Sequence, residues 1–198
     1  YHGADFDLAG FAVGAMERGG ELPAGVAEGD VLLGLAADGV HSNGFSLVRR
    51  VVEMAGLGWE SGCPFGPGPL GRALPTPTRL YVAPALAALR AGGVHALAHI
   101  TGGGLTENPP RVLPDGLACA IDLGAWELPP VFRWLRGVAG IAEADLLKTF
   151  NCGVGMILVV APDRAEALAA LMGDMGETVL RVGEVVAGRG VIYRGRLM

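Results

Sequence analysis

The chain has no glutamine, and asparagine occurs only at positions 43, 108 and 151. Lys148 is the single lysine, so arginine carries the rest of the positive charge. Poverty in thermolabile amides fits a thermophile; a biased genome base composition gives the same result. Long apolar runs are also missing, and none approaches the ~20 residues of a membrane-spanning helix. There is no excess of positive charge either. Lys+Arg number 15 against 20 Asp+Glu, for a net charge of −5. That balance argues against a dedicated nucleic-acid binder, which would carry a basic face, and against a polybasic membrane anchor. Cys63, Cys119 and Cys152 are odd in number and lack metal-site spacing, so a reduced, cytoplasmic setting is expected. The first residues, Tyr1-His2-Gly3-Ala4-Asp5, show no signal-peptide pattern and no initiator Met. A piece of a longer protein is the expectation.

Apolar residues and glycine are plentiful. Hydrophobic residues make up 51% of 198 positions and charged residues 18%. A chain of this kind builds a sizeable core, as one large domain or a domain plus a fragment. The three retained asparagines each lie beside glycine or proline: Ser42-Asn43-Gly44, Glu107-Asn108-Pro109 and Phe150-Asn151-Cys152-Gly153. Turn and cap chemistry explains any one of them. It explains all three less well.

The central stretch is His99-Ile100-Thr101-Gly102-Gly103-Gly104-Leu105-Thr106-Glu107-Asn108. A short strand over 94–100 runs into three glycines and then a helix beginning near Leu105. Glycines allow main-chain N–H groups to approach a ligand closely. With a helix N-terminus behind them they suit a phosphate; a tight connection needing glycine for its shape alone is the other reading. Pro109 and Pro110 should leave that helix short or kinked. Arg111 follows, within reach of the glycines.

Along the chain, Leu8–Met16 reads as a buried strand, and 17–29 as a linker or hairpin. A strand at 31–36 leads to His41, Ser42 and Asn43, and a helix follows from Phe45 with Ser42 or Asn43 as its N-cap. Residues 56–74 form a long Gly/Pro loop of the kind that often carries function. A helix over 80–90 starts beside Arg79, which suggests an anion contact or a salt bridge. Further strands are expected at 117–122, 156–161, 178–186 and 191–194, and helices at 129–137, 142–149 and up to Met172. Cys152, flanked by apolar residues, reads as an inert core thiol. The mixture means an α+β fold or a layered α-β-α domain with a mixed sheet.

Five stretches together resemble one family. They are Tyr1–Phe11, Gly39-Val40-His41-Ser42-Asn43-Gly44-Phe45-Ser46-Leu47-Val48-Arg49, Pro77-Thr78-Arg79-Leu80-Tyr81-Val82, His99–Asn108 and Thr149-Phe150-Asn151-Cys152-Gly153-Val154-Gly155-Met156. In this order they look like phosphoribosylformylglycinamidine cyclo-ligase, the aminoimidazole ribonucleotide synthetase of purine biosynthesis. The resemblance implies the C-terminal domain of that superfamily over 29–198, preceded at 1–28 by the last strand of a truncated N-terminal domain plus a linker. The family's N-terminal Asp-Gly-Val-Gly-Thr-Lys type motif is not in this chain, and Pro109 stands where the family usually has Ile.

The activity implied is a cytoplasmic, ATP-dependent ring closure of formylglycinamidine ribonucleotide, with Mg²⁺ as cofactor. ATP phosphorylates the formyl amide oxygen, the amidine nitrogen attacks the resulting carbon, and phosphate leaves. A homodimer through the N-terminal domain is implied as well, so that these residues alone would be inactive. Carried over, His99 and Asn108 would be catalytic, with His99 a candidate general base. His41, Ser42, Asn43, Thr101, Gly102, Gly103, Gly104, Arg111 and Asn151 would bind substrate and its phosphate. No residue is assigned to the metal. The alternative is a non-catalytic phosphate-binding module of the same superfamily.

Overall fold

The computed structural model describes residues 10–16 and 18–198. Six strands form one mixed sheet: β1 (Val31–Ala36), β2 (Val94–His99), β3 (Leu117–Asp122), β4 (Val154–Val160), β5 (Val179–Ala187) and β6 (Gly190–Arg194). Their spatial order is β2-β4-β1-β5-β3-β6. All neighbours are antiparallel except β3 and β6. The last two strands do not pair with each other. The chain leaves β5 opposite Leu117, hooks around the start of β3, where Gly188 N–H donates to Gly116 O at 2.9 Å, and re-enters as β6 opposite Ala118.

Alternation along the strands assigns helices to both faces. On β1, Val31, Leu33 and Leu35 point to one side and Leu32 to the other. The first side is covered by α3 (Val82–Ala91) and α7 (Ala165–Asp174), through Ala88, Ala165, Leu168 and Met172. The second is covered by α1 (Phe45–Met54), α4 (Gly104–Glu107), α5 (Pro130–Ala139) and α6 (Glu143–Thr149). This larger core holds Val48, Val51, Phe132, Leu135 and Phe150, with the two phenylalanine rings 5.6 Å apart. Truncating either ring to alanine removes about 3–5 kcal/mol. The result is the expected α-β-α layering over a mixed sheet.

The loop 56–74 contains a four-residue helix, α2 (Leu70–Ala73), and is pinned internally where Gly62 bridges Pro69. The prolines at 109 and 110 act as expected: α4 is four residues long and gives way to a 3₁₀ turn over Pro109–Val112.

Two expectations are corrected. Residues 10–16 are exposed and form no strand. An apolar run becomes a strand only where a sheet edge accepts its N–H and C=O groups, and no described strand pairs with this one; positions 8 and 9 lie outside the described residues, as does most of the Tyr1–Phe11 motif. The N-cap of α1 is neither Ser42 nor Asn43. It is Gly44, left-handed at φ 74°, with no side-chain cap. A Cβ at Gly44 would run into the Phe150 ring, so packing against the core chooses glycine there.

Candidate functional site

Three adjacent strands end together. The C-terminal ends of β1 and β2 flank the N-terminal end of β4, which runs antiparallel to both. Their loops, 37–44, 100–104 and 150–153, meet there, and residues 76–81 close the group ahead of α3. A bulge in β4 shapes this end. Leu35 pairs with Met156 and Ala36 with Val154, skipping Gly155. Gly155 O accepts from Ile100 N–H at 2.9 Å. A Cβ at Gly155 would strike the Tyr81 hydroxyl and come within 2.9 Å of His41 Cε1. Bulges beside a site redirect neighbouring side chains, and here the missing side chain admits both rings.

His41 is buried at 3% exposure, with the left-handed φ of 58° that few non-glycine residues adopt. Its Nε2 accepts from the Asp38 N–H at 3.3 Å and the Arg79 N–H at 3.5 Å. Nδ1 is buried without a hydrogen-bond partner among the described residues. Burial pushes the imidazole below its ordinary value; Asp38 opposes this, and His99 and Arg79 add to it. Tyr81 lies between the two histidines, 6.4 Å from the His41 ring and 6.0 Å from that of His99. Its hydroxyl donates to Ala36 O at 2.8 Å, and burial pushes its pKa up. His99 is exposed at the end of β2.

The glycine turn divides its labour. Gly103 and Gly104 are left-handed, at φ 97° and 56°. Gly104 has a second constraint, because a Cβ there would collide with Leu147 O and sit 2.7 Å from Phe150 O. Its own N–H closes the turn onto Thr101 O at 3.0 Å. That amide is therefore not turned to a ligand, contrary to the expectation that all three glycines present N–H groups. Gly102 is exposed and needs no special conformation; a Cβ there would meet only Asn43 Oδ1, at 3.6 Å. Gly102 and Asn43 thus face one another across the loops.

The other two asparagines hold backbone. Asn108 is 5% exposed and lies under the turn. Its Nδ2 donates to Gly104 O at 2.8 Å, Gly102 O at 3.2 Å and Thr101 O at 3.3 Å. Its Oδ1 accepts from Thr101 Oγ1 at 3.3 Å and from Arg111 Nη1 at 3.4 Å. Arg111 comes back only as far as Asn108 and Glu107, whose carboxylate it meets at 3.8 Å. Asn151 is 2% exposed. It donates to Gly39 O at 2.9 Å and accepts from Gly153 N–H at 2.8 Å, tying the loop before β4 to the loop after β1. Ser42 is exposed and shares a hydrogen bond with Thr78 at 3.2 Å.

Sequence reasoning passed over Tyr81 and the pairings of Arg79. Arg79 bonds Asp38 at 2.7 Å and Glu177 at 2.9 Å, so of the two roles open to it, the salt bridge is the one the structure holds. Tyr81 belongs to the Pro77–Val82 stretch, and its place as the only aromatic there was the available signal. Among the described residues no three His, Cys, Asp or Glu side chains gather to hold a metal ion, and no step through Mg²⁺ is assigned to these residues. Cys152 is fully buried with its thiol pushed up by burial, so it is not an activated nucleophile. What the arrangement offers is a rim carrying the exposed Ser42, His99 and Gly102, over a floor of stapled loops and the buried His41 imidazole. No described helix is long and apolar enough to cross a membrane.

The fold recurs in known structures. The thiamine-monophosphate kinase of Stenotrophomonas maltophilia K279a is similar at TM-score 0.60 and 17% identity, over 92% of this chain and 56% of that one. The hydrogenase maturation protein HypE of E. coli is similar at TM-score 0.57 and 20% identity, over 87% of this chain and 48% of that one. PurL of T. maritima, complexed with AMPPCP, is similar at TM-score 0.50 and 13% identity, over 88% of this chain and 25% of that one. The chain thus spans about half the length of the first two, or less of the third. Residues 27–195 match the family described as AIR synthase related protein, C-terminal domain. The match covers most of the chain and both layers of helices, and the chain belongs to this family.

Proposed function

We propose that the chain is the substrate-side domain of a phosphoribosylformylglycinamidine cyclo-ligase, which closes the imidazole ring of aminoimidazole ribonucleotide at the expense of ATP. The observation that carries this is the convergence of four separated motifs on one end of β2, β4 and β1. His41-Ser42-Asn43, Thr78 to Tyr81, His99 to Gly104 and Asn151 to Gly155 touch one another there. Four of the five stretches that carry the resemblance to the cyclo-ligase are these motifs; the fifth, Tyr1–Phe11, lies mostly outside the described residues.

In this reading Gly102 and Gly103 amides, with Ser42 and Thr101, hold the substrate phosphate. Main-chain donors fixed in a turn bind an anion without reorganising when it arrives. Asn43 orients the amide and amidine, and His99 exchanges a proton with the reacting nitrogen. Asn108 and Asn151 position the loops. Use of ATP follows from the resemblance, and PurL of T. maritima, similar in fold, is complexed with AMPPCP. The reading brings with it a cytoplasmic setting and a homodimer through an N-terminal domain.

The test uses the full-length protein of the gene that encodes this chain. It is incubated with formylglycinamidine ribonucleotide, ATP and Mg²⁺, and products are followed by mass spectrometry. Aminoimidazole ribonucleotide forming in step with ADP and phosphate supports the reading. Tight ribonucleotide or phosphate binding without turnover overturns it in favour of a phosphate-binding module. Phosphoryl transfer to another acceptor overturns it in favour of a kinase.

A further inference from the structure

The two imidazoles of the cleft are held in different ways. His41 Nε2 faces two main-chain N–H groups, those of Asp38 and Arg79. A nitrogen that accepts carries no proton, so the neutral ring has its proton on Nδ1. Both donors are backbone and cannot be lost by deprotonation. Their separation is what has to be maintained, because they lie 41 residues apart in sequence, on different loops. The side chains of the same two residues hold them together: Arg79 Nη1 bonds Asp38 Oδ1 at 2.7 Å, and Arg79 Nε bonds Glu177 Oε2 at 2.9 Å. Glu177 is itself largely buried, and Gly176 O accepts from Arg79 Nη2 at 3.4 Å. Three segments of chain therefore meet on one guanidinium. A planar fork with several donors suits this task in a way that a lysine ammonium does not.

We propose that Arg79 is a positioning residue for His41. Its ion pair with Asp38 holds the two amides that lock the imidazole with its proton on Nδ1, and this removes His41 from proton transfer and leaves it to His99. The groups facing His41 are Asp38, Arg79, Tyr81 and His99. Burial and the cation beside it keep the ring neutral, while the Asp38 carboxylate is engaged by Arg79. His99 is exposed, on the end of a strand, and no comparable lock on it is formed among the described residues. The division of roles rests on the cyclo-ligase reading only for what His99 does to a substrate; the lock on His41 stands without it.

The experiment is a long-range ¹H–¹⁵N correlation spectrum of the histidine side chains, recorded without substrate on the ¹⁵N-labelled full chain from about pH 7.5 to about pH 5.5, a span that brackets ordinary histidine titration. His41 signals are assigned by their loss in His41→Asn. The expected pattern for His41 is a protonated Nδ1 and a bare Nε2 that persist through the titration. In Arg79→Met the His41 signals should move to a mixture of tautomers or to imidazolium. Asp38→Asn is the second variant, for use if Arg79→Met does not fold, and should do the same. A protonated Nε2 or an imidazolium in the native protein near pH 6 overturns the lock. A native pattern retained in the folded variants overturns the role of Arg79. Neither outcome bears on whether the full-length protein closes the imidazole ring, which is measured separately.

Discussion

The carboxamide of Asn108 donates to the carbonyl of Gly104 at 2.8 Å, closing the glycine turn from below. The same Nδ2 also lies within reach of Gly102 O and Thr101 O. Asn108→Ala leaves these inward carbonyls without their donor, which costs about 2 kcal/mol. Asn108→Asp replaces the donor by a charge facing carbonyl oxygens and should cost more. Urea unfolding of both variants checks this. A native midpoint for Asn108→Ala, with turnover lost, would instead make Asn108 a group that acts on substrate itself.

Gly102 and Gly104 should respond oppositely to the same change. Gly104→Ala forces a left-handed alanine and drives its Cβ into Leu147 O, a loss on the order of 3 kcal/mol. Gly102→Ala has only Asn43 Oδ1 at 3.6 Å to accommodate and should change stability by less than about 0.5 kcal/mol. Its methyl group projects at the rim where a phosphate would meet the amide, so ribonucleotide affinity should fall at least several-fold. Thermal unfolding and titration calorimetry on the pair give both quantities. Unchanged affinity in Gly102→Ala would remove the turn from the binding site.

Most of this architecture can be read from local pattern. β1, α1 and β2 are sharp because apolar periodicity and glycine punctuation coincide at their ends, and Pro109 and Pro110 mark the end of α4 directly. What the pattern hides is set by distant contacts. The start of α1 reads as a Ser42 or Asn43 cap, yet Ser42 is taken by Thr78 and the Phe150 ring presses on Gly44. No local rule contains a ring 106 positions away. The placement of β6 beyond β3 is equally non-local, since a turn of this length ordinarily pairs the strands it joins. At the site, the chemistry-bearing residue types stood out, but their division into stapling and exposed roles did not. Asn43, Asn108 and Asn151 look alike in sequence, yet Asn43 is partly exposed and the other two are buried.

The three thiols should separate by reactivity. Cys119 and Cys152 are fully buried, and burial raises the Cys119 thiol to about 12 and pushes Cys152 up as well. Cys63 is half-buried in the 56–74 loop. A thiolate is the reactive form, so a native sample treated with a disulfide reagent at about pH 8 should release one equivalent promptly. The other two should follow only on unfolding. Prompt reaction of all three would mean that the core around Cys152 opens readily, and with it the Asn151 staple.

Acid stability isolates His41. Its folded pKa lies below the ordinary value of about 6.5. Between the folded value and about 6.5 the unfolded chain binds the proton that the folded chain refuses, so stability rises with pH across that window. The contribution is fully present above about 6.5 and is lost as pH falls through the folded value, with a slope of at most about 1.4 kcal/mol per pH unit. His41→Asn suits the left-handed conformation at φ 58° and removes the titrating ring. It should be less stable than the native protein at about pH 7.5, through loss of the acceptor for two amides and of packing on Tyr81. The gap should narrow on acidification, because only the native chain then suffers the proton penalty. Chemical denaturation of both proteins from about pH 7.5 to about pH 5 measures it. A gap that stays constant or widens would mean that the ring takes up its proton in place, with Asp38 outweighing burial.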